Sequence, residues 1–127
     1  MSFLIDTQVF IWFETGSNRL SRRARALLED ANETAYFSAA SFWEIAIKRR
    51  AGKLAFKGSA RAAVADAGLL ELDINAADAE IAGDLDWDHR DPFDRMLVAQ
   101  CLNRNLTLVS ADPRLRARQD IGVIWAG

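Results

Sequence analysis

The fold is decided near the N-terminus by the stretch Ser2-Phe3-Leu4-Ile5-Asp6-Thr7. Its three consecutive apolar residues form a run of strand length, and a pattern with helical period follows from residue 7 to residue 13. A short apolar strand that leads directly into a helix is typical of parallel sheets that are covered on both faces. Because this order recurs along the chain, we predict an α/β fold with a central, mostly parallel sheet.

The rest of the chain supplies the other elements of this fold. Further strands are predicted at 34–38, 69–74, 106–109 and 121–125, and helices at 22–30, 40–51, 59–67, 75–85 and 91–104. Ser21 and Asn75 are good N-caps, and Gly52 is a typical helix stop. Asp91 followed by Pro92 is the usual opening of a helix. No repeat or linker interrupts the pattern, so we predict one domain over residues 1–127.

Composition narrows the class of protein. Half of the 127 residues are hydrophobic, which is enough for a core, and no apolar run approaches the ~20 residues of a membrane span. No signal peptide is expected, because Asp6 interrupts the first apolar run. The single cysteine, Cys101, suits a reducing compartment. We therefore expect a cytoplasmic globular protein.

Charge is distributed unevenly along the chain. The net charge is −2, which by itself does not indicate a nucleic-acid-binding protein. Residues 66–94 nevertheless contain ten acids and one base, whereas the bases gather before and after this segment. The asymmetry permits a basic rim around an acidic centre, although ordinary solvated helix faces would give the same pattern.

Four carboxylates occupy positions where an acid is costly. Asp6 and Asp112 follow predicted strands, at the sheet edge where open parallel sheets bind ligands. Glu44 lies in a helix that is apolar nearly all round, and Asp94 shares a helix face with apolar residues. A buried, unpaired carboxylate costs several kcal/mol. A bound divalent cation would stabilise all four at once, and oxygen ligands favour Mg²⁺ or Mn²⁺.

Each acid also has a simpler interpretation. Asp6 would serve as a helix cap, and Asp94 would interact with the helix dipole in the first turn. Glu44 has Lys48 four residues later as an ion-pair partner. Asp112 precedes Pro113, which is a common signal for a turn or a helix start. The joint arrangement is the stronger argument for a site.

Other residues favour a structural interpretation. His89 is the only histidine and has no cysteine partner at ligand spacing, so neither a zinc site nor a hydrolase triad is predicted. Cys101 lies on an apolar helix face and is expected in the core. Core positions are also expected for the four tryptophans, Trp12, Trp43, Trp87 and Trp125. Among them, Trp87 is the candidate for exposure because acids surround it in the sequence.

Read in order, several stretches resemble the PIN-domain family, and more closely its VapC-like toxins. They are Leu4-Ile5-Asp6-Thr7, Ser38-Ala39-Ala40-Ser41-Phe42-Trp43-Glu44-Ile45-Ala46-Ile47-Lys48, His89-Arg90-Asp91-Pro92-Phe93-Asp94-Arg95-Met96-Leu97-Val98-Ala99-Gln100, and Leu106-Thr107-Leu108-Val109-Ser110-Ala111-Asp112. Together they span nearly the whole chain in the order of the family. The four metal-site acids of the family fall on the four positions already singled out: Asp6, Glu44, Asp94 and Asp112.

The resemblance implies a PIN-like three-layer α/β/α domain and a metal-dependent endoribonuclease, the toxin of a toxin–antitoxin pair. Asp6, Asp94 and Asp112 would bind Mg²⁺ or Mn²⁺, and Glu44 would be a further ligand or orient the water. Thr7, Ser38 and Ser110 would hydrogen-bond the carboxylates, while Asp91 would join the site or only cap its helix. Arg95 and Lys48 would hold the RNA backbone. The implied partners are RNA, a cognate antitoxin and a second copy of the chain.

The sequence departs from the family pattern at three positions. Ser110 stands where threonine is frequent, which keeps the hydroxyl, and Ala111 stands where a base is frequent. Gln8 replaces a frequent histidine. The loss of a base at Ala111 puts one phosphate contact in doubt.

Two alternatives remain open. A receiver-like phospho-aspartate domain has a similar length and acidic pocket but would need a lysine after the final strands, and none occurs between Val109 and Gly127. A non-catalytic PIN-like binding module would be favoured by the loss of a ligand acid, and none of the four is missing.

Overall fold

The computed structural model describes residues 1–127 and contains one five-stranded sheet in which every strand pair is parallel. The strands are β1 (Ser2–Ile5), β2 (Thr34–Ser38), β3 (Leu70–Leu72), β4 (Thr107–Ser110) and β5 (Val123–Trp125). Their order across the sheet is β3-β2-β1-β4-β5. The prediction of a central parallel sheet is therefore confirmed.

Seven helices connect and cover the strands. They are α1 (Thr7–Thr15), α2 (Arg22–Glu29), α3 (Ala39–Arg50), α4 (Ala60–Asp66), α5 (Ala76–Asp84), α6 (Pro92–Arg104) and α7 (Pro113–Arg116). The predicted caps act as expected: the Ser21 hydroxyl accepts from the backbone of α2, and Asn75 forms a reciprocal capping box with Asp78. None of these helices is long and apolar enough to cross a membrane.

The core is divided between the two faces of the sheet. Phe3 and Ile5 of β1 belong to a cluster with side chains of α1 to α4, while Leu4 belongs to a second cluster with α6 and α7. Neighbouring residues of a strand point to opposite faces, so burial of three consecutive residues means that both faces are covered. This explains the unbroken apolar run at the N-terminus and gives the three layers of the predicted α/β/α domain.

The order of the strands creates a switch point between β1 and β4. From β1 the chain moves outward to β2 on one side, whereas β4 pairs on the other side. In sheets of this kind, ligands bind in the crevice at the carboxyl ends of the strands at the switch point. Because Ile5 pairs with Val109, the next residues along the chain, Asp6 just after β1 and Ser110 at the end of β4, come side by side.

Several local predictions were wrong. Trp43 is 61% exposed and Ile47 is 43% exposed, since α3 packs on its neighbours with one side only. The helix is therefore not buried all round, and Trp43 is not a core residue. The third strand is shorter than the predicted 69–74, as is usual at an edge. The Asp112-Pro113 pair opens a short helix, α7, that was not assigned as an element.

Candidate metal centre

A pocket of about 560 Å³ lies beyond the carboxyl ends of β1 and β4. The acids come from the segments that follow β1 and β4, from α3 and from the start of α6. Its lining contains five acids and two bases, namely Asp6, Glu44, Asp91, Asp94, Asp112, Lys48 and Arg114. The four acids singled out in the sequence therefore share one pocket.

Asp6 is the most deeply placed of these acids, with 7% of its surface exposed. It occupies the N-cap position of α1, yet its side chain makes no capping hydrogen bond. Instead, the Ser110 hydroxyl donates to its Oδ2 at 2.7 Å. Burial raises the pKa of Asp6 to about 7; Ser110 opposes the rise, and the charges of Asp94 and Glu44 add to it. The capping alternative for Asp6 is thus not what the structure shows.

Asp94 lies in the first turn of α6 and contacts a histidine. Its Oδ2 is 2.6 Å from Nε2 of His89, and both side chains are largely buried. Burial raises the pKa of Asp94; His89 opposes this rise and the acids Asp91 and Asp112 increase it. The possible ligand atoms of His89, Asp91 and Asp94 all lie within 4.8 Å of one another.

Glu44 enters the pocket from α3 and is paired with a base. Lys48 Nζ donates to its Oε2 at 2.7 Å across one helical turn. The hydrogen bond to Glu44 is the main reason why the pKa of Lys48 is raised. Half of the Lys48 side chain remains in solvent, so the pair stands at the mouth of the pocket.

Asp112 begins α7 and is held by Arg114. Its carboxylate accepts from the Arg114 backbone at 2.9 Å and from the Arg114 guanidinium at 3.0 Å, so it both caps the helix and forms an ion pair. Burial acts to raise the pKa of Asp112, but the hydrogen bonds from Arg114 outweigh it and the pKa is lowered. The Asp112 backbone N–H also donates to the Ser110 hydroxyl at 3.0 Å, which links Asp112 to Asp6 through one serine.

The other polar residues expected to support the carboxylates differ in their contacts. The Thr7 hydroxyl donates to Ser41 Oγ at 2.7 Å and not to an acid. Ser38 is fully buried and caps α3. Asp91 caps α6 by accepting from the backbones of Phe93 and Asp94, while it also lines the pocket. Only Ser110 makes the contact to a carboxylate that was predicted.

Arg95 has a different role from the predicted contact with RNA. Its guanidinium donates to five backbone carbonyls, those of Ala82, Gly83, Leu85, Trp87 and His89. This arrangement ties the segment between α5 and α6 to the start of α6. Since these bonds occupy the guanidinium, Arg95 is not available for a phosphate, and we do not retain it as a substrate contact.

Sequence reasoning missed two residues of the site. His89 was given no role, although its place five residues before Asp94 and just outside α6 was a usable signal. Arg114 follows Asp112 by two residues, a spacing that lets the side chain fold back on the N-cap acid. Neither spacing by itself predicts a contact with an acid, because each contact depends on the shape of a local turn, which is determined by packing against other parts of the chain.

These features define the class of protein: a parallel α/β domain with a pocket of carboxylates at the switch point of its sheet. The sequence profile described as PIN domain matches residues 3–120. The chain therefore belongs to the PIN-domain family, which replaces the receiver-like alternative.

Solved structures share this fold. A chain of the VapBC2 complex from Rickettsia felis, bound to a DNA fragment from its promoter, matches with a TM-score of 0.74 at 15% identity over 100% of both chains. A toxin–antitoxin complex from Klebsiella pneumoniae matches with a TM-score of 0.67 at 18% identity, over 95% of this chain and 94% of that chain. A chain of DNA-bound VapBC from Salmonella typhimurium matches with a TM-score of 0.65 at 17% identity, over 98% of this chain and 97% of that chain. No curated protein sequence matches the chain.

Proposed function

We propose that this PIN-domain chain is a metal-dependent endoribonuclease and the toxin of a toxin–antitoxin pair, acting as one domain over residues 1–127 in the cytoplasm. The observation on which the proposal depends is the environment of Asp6. This acid is buried and accepts one side-chain hydrogen bond, from Ser110, and the charges of Asp94 and Glu44 act to raise its pKa further. No basic side chain hydrogen-bonds it, so a cation from solution is the missing partner.

The donor set fits Mg²⁺ or Mn²⁺. The pocket offers carboxylate oxygens and no cysteine, and hard divalent cations prefer such ligands. In the proposal Asp6, Asp94 and Asp112 are ligands, and Glu44 is a further ligand or orients the attacking water. The Ser110 hydroxyl orients Asp6 by donating to its Oδ2, and Asp6 lines the pocket.

A divalent ion bound there would supply a water of lowered pKa and would neutralise charge on the scissile phosphate. The chain itself supplies the contacts that hold the substrate. The ammonium of Lys48 and the guanidinium of Arg114 lie at the pocket with half or more of each side chain in solvent, where they attract a polyanion.

The proposed partners follow from the structural relatives. Those relatives are toxin–antitoxin and VapBC complexes, so we include a cognate antitoxin in the proposal. A homodimer is included because the resemblance to VapC-like toxins implies it. The non-catalytic alternative, a PIN-like binding module, would be supported by a missing ligand acid, and all four acids are present.

RNA cleavage with and without EDTA tests the enzymatic part. We expect the purified protein to cut single-stranded RNA in Mg²⁺ or Mn²⁺, to lose this activity in EDTA, and to recover it when metal is restored. A DNA strand of the same sequence, run in parallel, tests the choice of RNA. Cleavage that persists in EDTA would contradict the metal-dependent mechanism.

Growth arrest on induced expression tests the toxin part separately. The wild-type chain should arrest growth and Asp94→Asn should not, because asparagine keeps the shape but removes the charge that a hard cation requires. An arrest that is equally strong with Asp94→Asn would contradict the nuclease toxin.

A further inference from the structure

We propose that His89 is a positioning residue: as its Nε2–H tautomer it holds the Asp94 carboxylate in the orientation in which the carboxylate binds the divalent cation. This inference rests on the proposed metal-dependent function and adds a residue to which that function gave no role. It depends on three sets of contacts, one that holds the ring, one that fixes its proton and one that reaches Asp94.

The imidazole ring is held in place by aromatic packing. Its side chain is 11% exposed. The indole of Trp87 meets it edge to face, with the ring centroids 4.7 Å apart, and the guanidinium of Arg118 lies 4.8 Å from the Trp87 ring centroid. Arg118 is itself paired with Asp120. The ring therefore has little freedom to turn away from Asp94.

The neighbour at Nδ1 determines which nitrogen has the proton. Arg114 Nη1 lies 3.4 Å from His89 Nδ1. A guanidinium only donates hydrogen bonds, so Nδ1 must be the acceptor in this contact. The proton of the neutral ring is then on Nε2, the nitrogen 2.6 Å from Asp94 Oδ2.

The Nε2–H group leaves one oxygen of Asp94 for the metal. It donates to Oδ2, while Oδ1 accepts no hydrogen bond from the protein. Partners of ligand side chains act in this way in metal sites: they fix orientation, and their loss costs about 10- to 100-fold in affinity or activity. His89 would thus act through Asp94 without touching the substrate.

A direct metal–histidine bond is the competing geometry, because the ligand atoms of His89, Asp91 and Asp94 are close together. A ligand Nε2 would have to present its lone pair to the ion, and the proton would move to Nδ1. That N–H would then face the donors of Arg114. The positive guanidinium, which also holds Asp112 at 3.0 Å, therefore disfavours His89 as a ligand.

The first test is the tautomer in the wild-type protein. His89 is the only histidine, so a long-range ¹H–¹⁵N spectrum of the ring, recorded at mildly alkaline pH, has a single assignment. We expect the pattern of a protonated Nε2 and an unprotonated Nδ1, both without metal and with excess Mg²⁺. A protonated Nδ1 in either condition would overturn the inference.

The second test is Mn²⁺ binding by calorimetry with two matched variants. The amide of His89→Gln reaches about as far as Nε2 and keeps a donor for Asp94, whereas the amide of His89→Asn reaches only the place of Nδ1. We expect the dissociation constant of His89→Asn to rise about 10- to 100-fold and that of His89→Gln to return most of the way to wild type. Melting curves in EDTA, expected to be the same for both variants, show that the fold is intact.

Equal Mn²⁺ affinity in all three proteins would overturn the role of His89 and leave the proposed nuclease function standing. A His89→Gln protein that binds as weakly as His89→Asn would also overturn it, because the donor would then not be what matters. A wild-type protein that binds no Mn²⁺ would instead overturn the proposed function together with this inference. The tautomer measurement needs no variant and decides the case if a substitution impairs folding.

Discussion

Two aspartates of this domain are buried to nearly the same depth and have opposite surroundings. Asp78, at the start of α5, is fully buried and accepts from Arg104 at 2.7 Å, from Asn103 at 2.8 Å and from the Asn75 backbone at 3.1 Å. Asp6, after β1, is 7% exposed and accepts one side-chain hydrogen bond, from Ser110. The first acid has its own cation, whereas the second does not.

The two environments move the pKa values in opposite directions. Burial acts to raise the pKa of both acids, but the hydrogen bonds from Arg104 and Asn103 bring that of Asp78 down to about 2. At Asp6 burial prevails and the pKa is raised to about 7. A buried acid that is satisfied within the protein is a structural element. One that is not satisfied is a candidate for binding a cation from solution, as we propose for Asp6.

The largest expected effect is on catalysis. Asp6→Asn removes a proposed ligand and should lower RNA cleavage by at least about 100-fold, since even the loss of a partner of a ligand costs about 10- to 100-fold. Initial rates in saturating Mn²⁺ measure this. Asp84→Asn is the control, because it removes the same charge from an exposed position at the end of α5, and its rate should equal that of wild type. Comparable cleavage rates for Asp6→Asn and Asp84→Asn would mean that Asp6 is not a ligand, and would contradict the distinction drawn between Asp6 and a purely structural acid such as Asp78.

The second effect is the stability gained from metal. Because only the folded chain brings the acids together, an ion at ~100 times its dissociation constant should add ~2.7 kcal/mol. For a domain of this size that is a rise of roughly 10 °C in the melting temperature. Asp94→Asn should gain much less, while Asp84→Asn should gain as much as wild type. Melting curves in EDTA and in excess Mn²⁺ measure the shift, and an equal shift for Asp94→Asn would exclude it as a ligand.

The third effect is a loss of stability, without a loss of metal binding, when the structural acid Asp78 is replaced. Asp78→Asn removes the charge that pairs with Arg104 and should lower the free energy of unfolding by about 2 kcal/mol, which is roughly 8 °C in melting temperature. Its Mn²⁺-induced shift should remain that of wild type, because the pocket is untouched. A variant with wild-type stability would mean that Asp78 does not differ from Asp6 in the way described.

The fourth effect is the pH dependence of the stability that the Asp78–Arg104 pair contributes. The folded pKa of Asp78, about 2, is below its ordinary value of 3.8, so its contribution is present above about pH 4 and is lost as the pH falls towards 2. The shift corresponds to about 2 kcal/mol. Denaturant unfolding of wild type and Asp78→Asn in EDTA should show a difference in the free energy of unfolding that shrinks over this pH range. Titration of the pocket acids does not contribute to this difference, because both proteins have the same pocket acids. A difference that stays constant would contradict the assigned cause.

The fold was predictable because its signals are local and redundant. The apolar run before Asp6, the caps at Ser21 and Asn75 and the Asp91-Pro92 pair each determine an element within a few residues. The prediction that Trp43 lies in the core was wrong, because the sequence of a helix that is apolar nearly all round does not indicate which of its sides packs against the sheet. That information depends on the packing of α3 against its neighbours.

The site was predictable to the extent that it depends on topology. Asp6 and Asp112 follow strands, and parallel strands bring their carboxyl ends to one edge. The partners of these acids depend on loop geometry, which has no periodic signal. Thus Arg95 binds carbonyls of the preceding loop instead of RNA, and His89, which was set aside, contacts Asp94.

The most direct test of the central claim is the position of a bound ion. An anomalous difference map from a crystal grown or soaked in MnCl₂ should show its main peak in the pocket between Asp6, Asp94 and Asp112, with carboxylate oxygens at ligand distance. Asp78, already paired with Arg104, should have no peak. A map without density beside Asp6, from crystals in which the pocket is open to solvent, would contradict the account.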